Sequence, residues 1–220
     1  MTITLIFIAG IMVTVIGWLF RQTINTQPWV ATAADNAVSG RSLNTNSRTI
    51  GLATFLAVAV SLFGLFISAY NLRMQMPDWI PLADPDLLWV NTGVLVLASI
   101  AFQWTRGVAI KGSDKAVRIG LTLAGALTIL FLFGQLVAWQ GLQAAGNTMS
   151  RNPANAFFFL LTGIHGLHLL GGLWVWARST IKVWTGADAT SIRVSVELCT
   201  IYWHFLLLVW AVLFGMLLST

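Results

Sequence analysis

The last third of the chain carries ionisable side chains inside two long apolar segments. Residues 154–178 contain His165 and His168, and residues 195–218 contain Glu197 and His204. These are all the histidines of the chain and its only glutamate. A polar group in hydrocarbon is strongly destabilising unless it finds a partner. In membrane helices such residues therefore mark either a functional site or hydrogen bonds between helices.

The spacing of these side chains is compatible with three interpretations. His165 and His168 are three residues apart and share a helical face, and so do Glu197 and His204, which are seven apart. Three imidazoles and a carboxylate could bind zinc or iron, and a histidine could be an axial haem ligand. The third interpretation is a hydrogen-bond network between the two helices. It is favoured because paired haem ligation needs histidines on several facing helices, and the other apolar segments have none.

The composition indicates an integral membrane protein. Of the 220 residues only 9% are charged, whereas soluble domains carry about 25% charged residues. Apolar runs with the length of a membrane helix cover residues 3–20, 50–70, 87–105, 119–143, 156–177 and 196–218. The sequence therefore predicts an all-α, polytopic transmembrane bundle with six spans, one N-terminal helix plus a five-helix core.

A polar segment separates the first span from the others. Residues 21–48 are rich in Asn, Thr, Ser and Ala and lack apolar periodicity, which is typical of a loop. The predicted organisation is an N-terminal transmembrane helix with its loop at residues 1–48, and the core at residues 49–220. The core connections are short, so that consecutive core helices are predicted to be antiparallel neighbours.

Basic residues alternate from one loop to the next. The first, third and fifth connections hold most of them, whereas the second and fourth hold only Arg73 and Arg151. By the positive-inside rule the odd-numbered connections face the cytoplasm, and both termini face the opposite side, which is the periplasm, or the intermembrane side if the membrane is organellar. The location predicted for the chain is a bacterial inner membrane. This distribution also argues against nucleic acid as a partner, despite a net charge of +5.

The long first connection carries three arginines, Arg21, Arg41 and Arg48. Its length permits the first helix to stand away from the core and leave a groove that acyl chains would fill. The three arginines are therefore candidates for contacts to phospholipid headgroups. Ordinary positive-inside arginines are the alternative.

Tryptophans and glycines predict how the helices pack. Trp203 and Trp210 are seven residues apart on one face of the last span and are predicted to pack either in the core or against another subunit. Trp139 and Trp176, near span ends, fit the aromatic belt at the membrane surface. Glycines recur along the fifth span and predict close approach to a neighbouring helix.

Several segments together resemble subunit III of the haem–copper terminal oxidases. That family has a GxHGxHxxxG helix followed by a helix with E-x6-H. This chain has GIHGLHLLGG at 163–172 and ELCTIYWHFLLLVW at 197–210. Segments that support the resemblance lie upstream, at residues 55–70, 87–102 and 130–142.

The resemblance implies a non-catalytic accessory subunit of a respiratory oxidase of the cytochrome c oxidase type, acting in aerobic electron transport. Haem and copper would then belong to partner subunits, and this chain would have no catalytic, cofactor-binding or metal-binding residues. It would stabilise subunit I by direct contact, assemble with subunit II and bind membrane phospholipid. The resemblance also implies that His165, His168, Glu197 and His204 form a polar cluster between helices. Many relatives carry a glutamate where this chain has Ala59, so no role of that carboxylate carries over.

Other functions remain open at this point. Subunit III of a quinol oxidase, or the accessory subunit of a nitric oxide reductase, would have the same features, because this subunit contacts neither electron donor. A free-standing membrane metalloprotein would use the same His and Glu side chains. A small transporter is disfavoured because the sequence has no convincing internal repeat.

Overall fold

The structure is a computed structural model that describes residues 10, 13, 14, 17, 47–81, 86–186 and 188–219. Over these residues it contains helices and no strand, and five helices are long and apolar enough to cross a membrane. They are α1 (Ser47–Arg73), α2 (Leu87–Ile110), α3 (Asp114–Ala144), α4 (Pro153–Trp184) and α5 (Ala189–Leu218). The all-α membrane fold and the second to sixth predicted spans are thereby confirmed, and each helix is longer than its apolar run.

The first predicted span lies largely outside the described residues, as does the loop that follows it. Arg21 and Arg41 fall in this part of the chain, whereas Arg48 lies in the first turn of α1. The sixth span and the lipid contacts of the three arginines therefore stay predictions. The chain forms two compact units, Met1–Ser68 and Ala69–Thr220, and the features described below all lie in the second.

Residues with particular backbone preferences lie at the beginnings and ends of helices in the second unit. The side-chain oxygen of Asn152 accepts a hydrogen bond from the backbone N–H of Ala154 at 3.1 Å. Pro153 follows at the first helical position of α4, where a missing N–H leaves no hydrogen bond unmade. Glycines with positive φ, which other residues rarely adopt, follow α2, α3 and α4 at Gly112, Gly146 and Gly186.

Residues 74–81 form turns that contact the start of α4. The Asn152 side chain bonds to the backbone of Ile80 in both directions, accepting from its N–H and donating to its carbonyl. At the beginning of the segment, Arg73 donates two hydrogen bonds to the carboxylate of Asp78. These bonds lower the pKa of the Asp78 carboxyl below its ordinary value.

Helices α2 to α5 pack around a common core. Consecutive helices contact each other, as the sequence predicts, and α5 also contacts α2. Large aromatic side chains fill the space between them, and they include Phe102, Phe131, Phe158, Trp203 and Trp210, all buried. The contact between α5 and α2 was not predicted from the sequence, and it positions the candidate site.

Candidate functional site

His204 lies at the middle of α5 and bonds to α2 through both ring nitrogens. Its Nδ1 meets the Ser99 hydroxyl, and its Nε2 lies 3.1 Å from Oε1 of Gln103. A carbonyl oxygen only accepts hydrogen bonds. In the neutral ring, therefore, Nε2 carries the proton and Ser99 donates to Nδ1.

Arg106 and Glu197 form an ion pair two helical turns along α5 from His204. The Nη2 of Arg106 donates to Oε1 of Glu197 at 2.6 Å. The two side chains are 37% and 39% exposed, so that the pair lies at the edge of the contact between α2 and α5 rather than in the core. An unpaired charge costs about 2.5–3.5 kcal/mol at the centre of a membrane helix, and each partner here reduces the cost of the other.

A buried hydroxyl lies between these two groups of contacts. Thr200 is three residues from Glu197 and four from His204, and its Oγ1 lies 3.2 Å from the carbonyl oxygen of Phe102 on α2. The polar residues of each helix thus form a single stripe. We use the term polar face for five of them: Ser99, Gln103, Arg106, Glu197 and His204.

The other two histidines lie on α4 in different surroundings. His165 is fully buried, and its ring centroid lies 5.2 Å from that of Trp210. His168 is half-buried, with its Nδ1 2.8 Å from the carbonyl oxygen of Ile164. Its own carbonyl accepts a hydrogen bond from the Tyr202 hydroxyl at 2.8 Å, which is a contact between α4 and α5.

The structure corrects the prediction of a polar cluster between the fifth and sixth spans. Glu197 and His204 form their hydrogen bonds with α2, the third span, and not with α4. The reason is that α5 has neighbours on two sides, and the face shared by these two residues meets α2. Tyr202, at a different angle on α5, meets α4 instead. In the part of the chain that the structure describes, no three His, Cys, Asp or Glu side chains are grouped so that they could hold a metal ion.

Sequence reasoning missed three members of the polar face, Ser99, Gln103 and Arg106. Their spacing of four and three residues places them on one face of α2. The same distance of seven residues separates Glu197 and His204. Two polar stripes of equal length on two apolar helices were therefore the sequence pattern that could have predicted this contact between α2 and α5.

Indole N–H groups connect α5 to two other helices. Trp203 donates to Oγ1 of Thr128 on α3 at 2.9 Å, and Trp210 donates to Oγ1 of Thr92 on α2 at 2.9 Å. Both indoles are fully buried, so that of the two predicted positions, in the core or against another subunit, they occupy the core. Since a buried N–H needs an acceptor, the threonines and tryptophans determine which helix faces are in contact.

Two further tryptophans connect α3 and α4. Trp139 donates to the Thr162 hydroxyl at 3.0 Å, and Trp176 donates to the carbonyl oxygen of Leu121 at 2.8 Å. Gly125 lies directly against the Trp176 ring, where a Cβ would overlap it. These indoles therefore have a packing role that the aromatic-belt prediction did not include.

A double-mutant cycle tests the ion pair of the polar face. We expect Arg106→Ala and Glu197→Ala each to cost about 1–2 kcal/mol in unfolding free energy, because each leaves a charged group without its hydrogen bond. The double variant should cost clearly less than the sum, as measured by unfolding in detergent. Glu197→Ala with His204→Ala is the matched control and should be additive within about 0.5 kcal/mol, since the two share no hydrogen-bond partner. Additivity in both cycles would contradict the pairing.

The fold and the polar face together define a class, a multi-pass helical membrane protein whose ionisable side chains bond to neighbouring helices. Comparison with known families gives a more specific assignment. The family described as Cytochrome c oxidase subunit III matches residues 3–218. The chain belongs to this family and is therefore a subunit of a multi-subunit oxidase, which confirms the resemblance seen in the sequence.

Individual relatives agree with the family assignment. The chain is 32% identical over 176 residues to cytochrome c oxidase subunit 3 of Synechocystis sp., a match that covers 76% of this chain and 73% of the relative. It is 32% identical over 178 residues to probable cytochrome c oxidase subunit 3 of Mycobacterium leprae, covering 77% and 86%. It is also 32% identical over 181 residues to cytochrome c oxidase subunit 3 of Thermostichus vulcanus, again covering 77% and 86%.

Proposed function

We propose that this chain is a non-catalytic accessory subunit of a cytochrome c oxidase in aerobic electron transport, which stabilises the catalytic subunit I and binds phospholipid. The match to the subunit III family over residues 3–218 is the observation that carries the proposal. The relatives are named as subunits of cytochrome c oxidase, which favours this oxidase over a quinol oxidase or a nitric oxide reductase.

The geometry of His204 and Glu197 supports the assignment of haem and copper to partner subunits I and II. His204 uses both ring nitrogens in hydrogen bonds to α2, so that the neutral ring has no lone pair left for a metal. The carboxylate of Glu197 is engaged by Arg106. The polar groups of α5 thus serve contacts between helices.

The proposed location is a bacterial inner membrane, and the distribution of charge supports an orientation with both termini in the periplasm. The connection between α2 and α3 contains Lys111, and the first two turns of α3 contain Lys115 and Arg118. The last turn of α4 contains Lys182. Basic residues therefore concentrate at the end of the bundle where these connections lie, which is the cytoplasmic end under the positive-inside rule.

Purification of the tagged chain in mild detergent tests the proposal. We expect haem- and copper-bearing subunits and phospholipid to co-purify with it, whereas the isolated chain should show no Soret band and no stoichiometric metal. An oxidase depleted of this chain should start with normal turnover and lose activity faster over successive turnovers, because subunit I lacks its support. Adding back the purified chain is the control. A chain that purifies alone with one metal per molecule would overturn the proposal.

A further inference from the structure

The residues that the structure describes leave the outer side of the polar face between α2 and α5 exposed. Gln103 and His204 are exposed there. His204 lies at the middle of the span Ser191–Leu218. Gln103 is seven residues from the end of α2, which is a depth of about 10 Å at 1.5 Å per residue. In a membrane both side chains would face acyl chains, which offer no hydrogen bonds.

Hydrogen-bonding groups on this face remain unused by the residues that the structure describes. The Oε1 of Gln103 accepts from His204, whereas its amide N–H groups have no partner in this part of the chain. Glu197 is bonded through Oε1 alone, and the Nε of Arg106 is buried without a hydrogen bond among the same residues. Because each such group is costly in hydrocarbon, a covering protein surface with complementary polar groups would be strongly favoured over lipid.

Small exposed residues continue the same face of the two helices. Gly107 lies one turn after Gln103 on α2, and Ala211 and Gly215 follow His204 by two and three turns on α5. A Cβ built on either glycine would meet no atom within 4 Å. Small residues permit close approach of another helix, which is the main way that helices associate in membranes.

We propose that the polar face binds a membrane-spanning helix of another oxidase subunit. That helix would carry a hydrogen-bond acceptor opposite the Gln103 amide and a polar or charged side chain at the level of Arg106 and Glu197. The inference rests on the proposed function, because it takes the partner from the same oxidase. Phospholipid alone does not fit, since a headgroup would reach the ion pair but not the depth of Gln103 and His204.

Photo-crosslinking in the intact oxidase tests this assignment. The crosslinking amino acid p-benzoylphenylalanine replaces Ile100 on α2 or Leu208 on α5, two exposed apolar residues beside the polar face. Phe133, which is exposed on α3, is the matched control. After irradiation of native membranes, the first two positions should give an adduct with another oxidase subunit in severalfold higher yield than the control. An adduct only from the α3 position, an adduct with a second copy of this chain, a product confined to the chain, or no adduct would each overturn the inference.

The same preparation separates the inference from the proposed function. If haem-bearing subunits co-purify with the tagged chain but the two positions give no adduct with them, the inference fails and the proposed function stands. If no haem-bearing subunit co-purifies, the proposed function fails, and the inference fails with it.

A pair of glutamine variants provides a second measurement without a crosslinker. Gln103→Leu removes the unused amide together with the oxygen that accepts from His204, so that severalfold less subunit should stay in the complex as detergent is raised. Gln140→Leu makes the same change at an exposed glutamine on α3 and should leave retention unchanged. The unfolding temperature of each isolated variant shows that it is folded. Equal retention of the two folded variants would overturn the inference.

Discussion

Trp210→Ala is expected to lower the unfolding free energy of the bundle by about 3–5 kcal/mol, the usual cost of deleting a buried large aromatic side chain. The indole contacts every other helix of the α2–α5 core. It donates to Thr92 on α2, meets Phe131 on α3 edge-on with ring centroids 5.1 Å apart, and lies 5.2 Å from the ring of His165 on α4. Truncation would therefore open a cavity where all four helices meet. Unfolding of the purified chain in detergent measures the loss.

Two variants separate burial from hydrogen bonding at this position. Trp174→Ala removes an identical side chain from α4, where it is 68% exposed, and should change stability by less than about 0.5 kcal/mol. Thr92→Val removes the acceptor of the Trp210 indole and should cost about 1–3 kcal/mol, the cost of a buried polar group left unpaired. Similar losses for the two alanine variants would contradict the central position of Trp210.

The spans and part of the core could be predicted because they depend on properties that a single helix displays. An apolar run of membrane length identifies a span wherever it packs. The seven-residue spacing of Trp203 and Trp210 places them on one face, and large indoles on an apolar face favour burial. Neither conclusion needs knowledge of a neighbouring helix.

The partner of the polar stripe on α5 could not be predicted in this way. Periodicity shows that Glu197 and His204 share a face, but it does not show which helix meets that face. Adjacency in sequence suggested α4, whereas the structure places α2 there. Ser99 and Gln103 are uncharged, and single uncharged polar residues in an apolar span do not by themselves indicate a contact with another helix.

Arg106 was missed for a different physical reason. It follows the apolar run 87–105 and was therefore assigned to a loop that defines topology. In the structure α2 continues to Ile110, and Arg106 pairs with Glu197 instead of ending the helix. A long side chain extends its charged group away from its own backbone, so that an arginine at the end of an apolar run is compatible with several more residues of helix.

Gly125→Ala is the smallest substitution for which we expect a large effect. A Cβ at this position on α3 would overlap the six-membered ring of Trp176 on α4. The indole donates to the carbonyl oxygen of Leu121 at 2.8 Å, so it cannot move aside without losing that hydrogen bond. The helices would have to separate, and we expect a loss of about 3 kcal/mol, the upper end of the usual cost of overpacking. This loss would occur although alanine favours a helix over glycine by about 1 kcal/mol.

Two comparisons show whether the Trp176 ring causes the loss. Gly141→Ala makes the same change on the same helix, where a Cβ would meet no atom within 4 Å, and it should be neutral or stabilising by up to about 1 kcal/mol. Trp176→Leu removes the ring that Gly125 contacts, and Gly125→Ala made in that background should lose most of its cost. Unfolding in detergent is measured for the unchanged chain, Gly125→Ala, Trp176→Leu and the double variant. The four unfolding free energies give the coupling energy between the two positions. An unchanged cost of Gly125→Ala in the Trp176→Leu background would show that the indole is not what requires glycine at this contact between α3 and α4.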